Sequence, residues 1–108
     1  MDNANLAGAN LDGAKLSDAD LNGATVSSAS LVTADLGGAN LSRANFSDAS
    51  LIEANLLGAE LINTNLSGAD LFGAALVESA LLETVYNDAT SWPAAINIEQ
   101  LKRQGLES

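Results

Sequence analysis

The chain has 108 residues, enough for one small domain. It carries 14 acidic residues against 4 basic ones, a formal net charge of −10, and contains neither Cys nor His. That balance excludes a basic nucleic-acid footprint. The missing residue types exclude disulfides, thiolate metal sites and imidazole-based acid–base chemistry.

The N-terminus, Met1-Asp2-Asn3, lacks the basic and apolar regions of a signal peptide, and no run of about 18 apolar residues follows. The expectation is a cytoplasmic protein with no membrane contact. Hydrophobic residues make up 47% of the chain, but only 4% is aromatic and Ala is abundant, a poor supply for a core of large packed side chains.

From residue 4 to residue 88 the sequence divides without a gap into five-residue units, such as Ala-Asn-Leu-Ala-Gly and Ala-Lys-Leu-Ser-Asp. Each unit has a large apolar centre: Leu6, Leu11, Leu16, Leu21, Val26, Leu31 and so on to Leu81 and Tyr86. Two residues before each centre stands Ala, replaced only by Thr64, Ser79 and Thr84. A helix turns by about 100° per residue, so centres five apart would be smeared around it. Ala and its centre are two apart, as a strand requires for side chains on one face. The alternation then breaks once per unit, which predicts a turn at the two residues after the centre. Seven of the nine Gly occupy the second of these, where positive φ is expected. The three centres that are not Leu (Val26, Phe46 and Tyr86) are 20 and 40 residues apart, and Thr64 and Thr84 are 20 apart. Four units per coil would stack them, so four sides are expected.

Units such as Ala19-Asp20-Leu21-Asn22-Gly23 and Ala39-Asn40-Leu41-Ser42-Arg43 follow the pattern A(D/N)LXX and resemble the pentapeptide-repeat family over about four-fifths of the chain. The resemblance implies an all-β solenoid, a right-handed quadrilateral β-helix. About four coils at the ~4.8 Å inter-strand spacing would give a rod ~20 Å long.

The pattern fails at Ala89-Thr90-Ser91-Trp92-Pro93, which divides the chain into a repeat domain, 1–88, and a closing segment, 89–108. Pro93 cannot donate to a ladder, and Trp92 stands where a plug is wanted. Asn97 can cap a short helix with Gln100 three residues on, and Lys102, Arg103 and Gly105 suit its end. Ile98 and Leu101 would then face the last coil. The Thr-Ser-Trp-Pro stretch resembles the tails of cyanobacterial members of the family. No such cover precedes the first repeat, so either the first coil pairs with a second molecule or residues upstream of it have been removed.

Chemistry is harder to find. Sorted into four columns, Asp18 and Glu78, Asp48 and Asp88, and Asp20 and Glu60 share columns without becoming neighbours, so no carboxylate pair is set up for catalysis. Gly37-Gly38-Ala39 does not continue the calcium-roll motif, and six converging oxygens are not in sight. The chain therefore reads as a non-enzyme without cofactor or metal. The polar residues ahead of the centres, such as Asn5, Asn45 and Asn65 in one column, are expected to hydrogen-bond along the stack.

The residue after each centre is polar early in the chain (Asp12, Ser17, Asn22, Ser42, Ser47) and apolar later. Stacked four units to a coil, Val32, Ile52 and Phe72 form one outward ladder, Leu57 and Val77 a second, and Ile62 and Leu82 a third. Such a patch points to a protein interface or a homodimer contact; the competing reading lays these side chains flat over the corners. The leading expectation is a non-catalytic interaction or scaffold module that binds an unidentified protein through the outer faces. The alternative is a DNA mimic acting on gyrase, which the family resemblance implies. Scattered carboxylates and a short rod weaken it.

Overall fold

The computed structural model describes residues 3–76 and 90–91. Val77, Leu82 and Tyr86, the expected plug at Trp92 and Pro93, and the expected helix with Ile98 and Leu101 fall on residues outside the described ones.

Each described five-residue unit folds as anticipated, into one short extended side and one corner. The corner is closed by the next Ala amide donating back to the centre carbonyl, as in Ala9 N to Leu6 O at 3.0 Å and Ala39 N to Leu36 O at 3.0 Å. The second residue of every corner from Asn3 to Gly73 has positive φ, between 57° and 73°. A closing i+3 bond with positive φ at the third position is the signature of a type II turn. Seven of these positions are Gly, but eight are not, including the β-branched Thr33 at 60°.

The sides then pair in parallel with the coil above, residue i with residue i+20. One turn of the solenoid is therefore four units. The first face stacks Asn5, Thr25, Asn45 and Asn65; the second, Asn10, Ser30, Ser50 and Asp70. The third carries Lys15, Asp35, Asn55 and Ala75, and the fourth Asp20, Asn40 and Glu60. Three bonds per unit join successive coils. Leu31 N donates to Ser50 O and Ser50 N to Ala29 O, while the corner amide of Thr33 donates to Ile52 O.

Inside, the centres and their Ala partners make one continuous core from Leu21 to Leu76, with Val26, Phe46 and Leu66 fully enclosed. Leu6, Leu11 and Leu16 in the first coil pack against it but are only half-buried. Small Ala beside large Leu lets a narrow square interior fill without voids.

One expectation is corrected. The side-chain oxygens of Asn5, Asn45 and Asn65 do not reach along the stack; each accepts the amide N–H two residues on, at 3.2, 3.0 and 3.0 Å. Asn10, Asp20, Asp35, Asn40, Asn55 and Asp70 do the same. The amide after the centre is turned outward at the corner, away from the inter-coil ladder, and a short side chain just ahead of the centre is the nearest acceptor. This Asx turn is the physical reason for Asn or Asp in the repeat. Along those columns the described residues show one side-chain bond, Asn55 Nδ2 donating to Asp35 Oδ1 at 3.1 Å.

The register also shifts by one residue near the end. Ser91 pairs with Asp70, a step of twenty-one, and adds a fifth level to the second face. Thr90 takes the inward place of Ala, its hydroxyl donating to Leu66 O at 2.8 Å. Thr64 makes the equivalent bond to Leu41 O, also at 2.8 Å. Those carbonyls already accept the corner amides of Ala69 and Ala44, so the buried hydroxyls use the remaining lone pair.

Candidate interaction surface

The outward residues after the centres sit at the corners, and the structure separates them by exposure. Phe72 is 65% exposed and Leu57 45%. Val32, Ile52 and Ile62 are half-buried. Among the described residues of the predicted patch, Phe72 and Leu57 are thus the two prominent side chains, beside a half-buried apolar ladder. Val77 and Leu82 fall outside the described residues.

Polar anchoring begins the same column. Asp12 stands below Val32, and one of its carboxylate oxygens accepts the Ser30 hydroxyl and, at 3.0 Å, the Val32 amide. The corner is therefore held from the coil beneath rather than by the residue ahead of the centre. At the upper end, Asp70 Oδ1 accepts the Phe72 amide at 3.1 Å, which fixes the backbone from which the ring projects.

Between the Ile52–Phe72 corner and the Leu57 corner lies the third face. Its outward column ends in Ala75, where the other described columns continue with Asn, Asp, Glu, Ser or Thr. Gly37 and Gly58 keep the Leu57 corner low; a Cβ on Gly37 would stand 3.2 Å from Asp35 Oδ1. At the level of Asn55 this face runs between half-buried Ile52 and exposed Leu57. Ala75 is a member of this surface that the sequence reading did not single out. Its signal was present, as an apolar residue ahead of a centre.

The corner carboxylates lean along the stack over glycines. Asp18 lies over Gly38, Asp48 over Gly68, and the Glu53 stem over Gly73, with Cγ 3.0 Å from where a Cβ would be. Arg43 reaches the other way, its guanidinium donating to Asn22 Oδ1 at 3.3 Å. Among the described residues no three Asp or Glu side chains gather as a metal-binding group would require. No helix among them is long and apolar enough to cross a membrane.

A family model described as pentapeptide repeats matches residues 1–38 and 39–76, with eight copies. A pentapeptide repeat protein of the cyanobacterium Cyanothece 51142 superposes with a TM-score of 0.84 and is 40% identical over 85% of this chain. This chain spans 63% of that relative's length. A pentapeptide repeat protein of the Arabidopsis thaliana thylakoid lumen gives a TM-score of 0.67 and 28% identity, covering 90% of this chain and 68% of its own. One from Nostoc Pcc 7120 gives 0.57 and 30%, covering 95% and 83%. These structures share the right-handed quadrilateral β-helix. No curated protein matches the chain.

Proposed function

The chain belongs to the pentapeptide-repeat family, and from that premise we propose that it is a non-catalytic module that binds a protein partner through the outer surface of its β-helix. The observation that carries the reading is the exposure of Phe72 and Leu57 on a backbone otherwise committed to interior packing. A solvated ring at 65% exposure contributes nothing to the core beneath it, and an apolar patch of this kind favours an interface. The rod supplies rigidity, since each corner is closed by its own turn bond and is linked by ladder bonds to the next coil.

The test is capture from host extract with the wild-type chain and with a Phe72→Ser/Leu57→Ser variant. Both should give the same circular dichroism spectrum, because neither side chain is buried. Wild type should retain a protein that the variant loses. Identical retention by the two, with identical sedimentation, would remove the outer face from the function.

The DNA-mimic reading receives less support. Of the described carboxylates, Asp20, Asp35 and Asp70 are spent in their own corners and Asp12 in the next. They lie on different faces and form no phosphate-like stripe.

A further inference from the structure

We propose that Asn22 is a deamidation site, restrained by the corner it stands in, and that Arg43 receives the carboxylate that forms there. Asn22 is the one Asn in the chain that Gly follows. Glycine has no Cβ to crowd its own nitrogen, so that nitrogen approaches the preceding side-chain amide with least hindrance. The Gly23 nitrogen gives up its proton to hydroxide and attacks Cγ of Asn22. A bond forms between those two atoms, the bond from Cγ to Nδ2 breaks, and Nδ2 takes a proton from water and leaves as ammonia. Water then opens the cyclic imide. Cleavage at Cγ leaves an aspartate at position 22, and cleavage at the main-chain carbonyl leaves an isoaspartate. No oxidant or reductant takes part.

The folded corner holds this chemistry back. The nucleophile is engaged, because Gly23 N donates to Ser42 O at 3.0 Å. Asn22 N donates to Asp20 Oδ1 at 3.1 Å, and Asn22 O accepts the Asn3 amide at 3.0 Å. The Asn3 side chain lies where a Cβ on Gly23 would stand. Attack therefore waits for the corner to open. It closes the first coil, whose centres Leu6, Leu11 and Leu16 are only half-buried, so a local opening suffices. Asp12-Gly13 is the one Asp-Gly pair and could close the same ring, but it is held differently. Its carboxylate accepts the Ser30 hydroxyl and the Val32 amide, and an ionised carboxylate is a poor electrophile.

The receiver is already in place. The Arg43 guanidinium donates to Asn22 Oδ1 at 3.3 Å, and it donates more strongly to a carboxylate than to an amide. Asp20, bonded to the same corner, repels the new charge, so the pair with Arg43 has to be measured apart from that repulsion.

The test incubates the full chain at mildly alkaline pH, native and in guanidinium chloride, and maps the products by peptide mass spectrometry with isoaspartate methyltransferase labelling. Conversion should concentrate at Asn22 in both states and quicken as pH rises. The native chain should react about 10- to 100-fold more slowly, as a local opening allows. Native conversion at other Asn residues as fast as at Asn22 would overturn the site. Equal rates in the two states would overturn the restraint. A native rate lowered by the full unfolding equilibrium constant would overturn the local opening. For Arg43, a double-mutant cycle of Asn22→Asp and Arg43→Gln in urea unfolding should show a coupling of about two- to fivefold in the unfolding equilibrium. Strict additivity of the two substitutions would remove Arg43 from the proposal.

Discussion

Thr33 holds φ at 60° in a corner where Gly is the usual residue. A β-branched side chain there is strained by about 1 kcal/mol or more, because its Cβ crowds the following carbonyl. Its hydroxyl donates to Val32 O at 2.6 Å, which returns part of that cost. Replacing Thr33 by Gly should therefore stabilise the chain modestly, by up to about 1 kcal/mol, seen as a higher urea midpoint at an unchanged slope. A lower midpoint would mean that the hydroxyl bond outweighs the strain. The glycines at the second corner residue were read correctly from the sequence as positive-φ positions. That eight residues of six other types would be held in the same conformation was not legible, since no single Asp, Arg or Thr announces it. The stacked turn imposes it.

The five-residue unit is the element of this fold, and its Asx turn explains a preference that periodicity shows without accounting for it. Asn45 Oδ1 accepts the Ser47 amide at 3.0 Å, and no inter-coil carbonyl takes that N–H. Asn45→Ala should cost about 0.5–1.5 kcal/mol, the net worth of one such bond. Thr25, Ser50 and Ala75 occupy the same place in their units without an Asx bond. Substituting half-buried Ser67 by Ala leaves the Asn65 acceptor in place and serves as the control in the same thermal scan. Equal losses from the two changes would deny the turn its role. The sequence reading found the polar position but assigned its bond to the next coil. From residue types alone, an Asn can serve either acceptor equally well, and the choice depends on where the corner points its amide.

The whole molecule is a stack in which each coil touches only its neighbours, so stability is a sum of nearest-neighbour terms and should fall off toward an incompletely covered level. Centres from Leu21 to Leu71 are buried, while Leu6, Leu11 and Leu16 are half-exposed. Native-state hydrogen exchange should accordingly show slower amides at Leu31, Leu36 and Leu51, each bonded within the enclosed levels, than at Leu6 and Leu11. Uniform protection throughout would indicate one cooperative unit instead. The register shift to Thr90 and Ser91 belongs to this level of description too. A gapless reading carried the repeat to residue 88 and assigned those two residues to the closing segment. Their bonds to Leu66, Ala69 and Leu71 show that the second face continues one residue out of phase.

What the string of residues settles is the period and therefore the interior. Ala and Leu two apart, with a break every five, admit an extended side and a turn but no helix, and a twenty-residue harmonic in Val26 and Phe46 points to four sides. Local sterics and side-chain size carry that information, and both are properties of neighbours in sequence. Exposure is not. Val32, Ile52, Leu57, Ile62 and Phe72 look alike as apolar residues after a centre, yet only Leu57 and Phe72 stand clear into solvent. That difference is set by what the coils above and below place beside each corner, residues some twenty positions away, and only stacking brings them together.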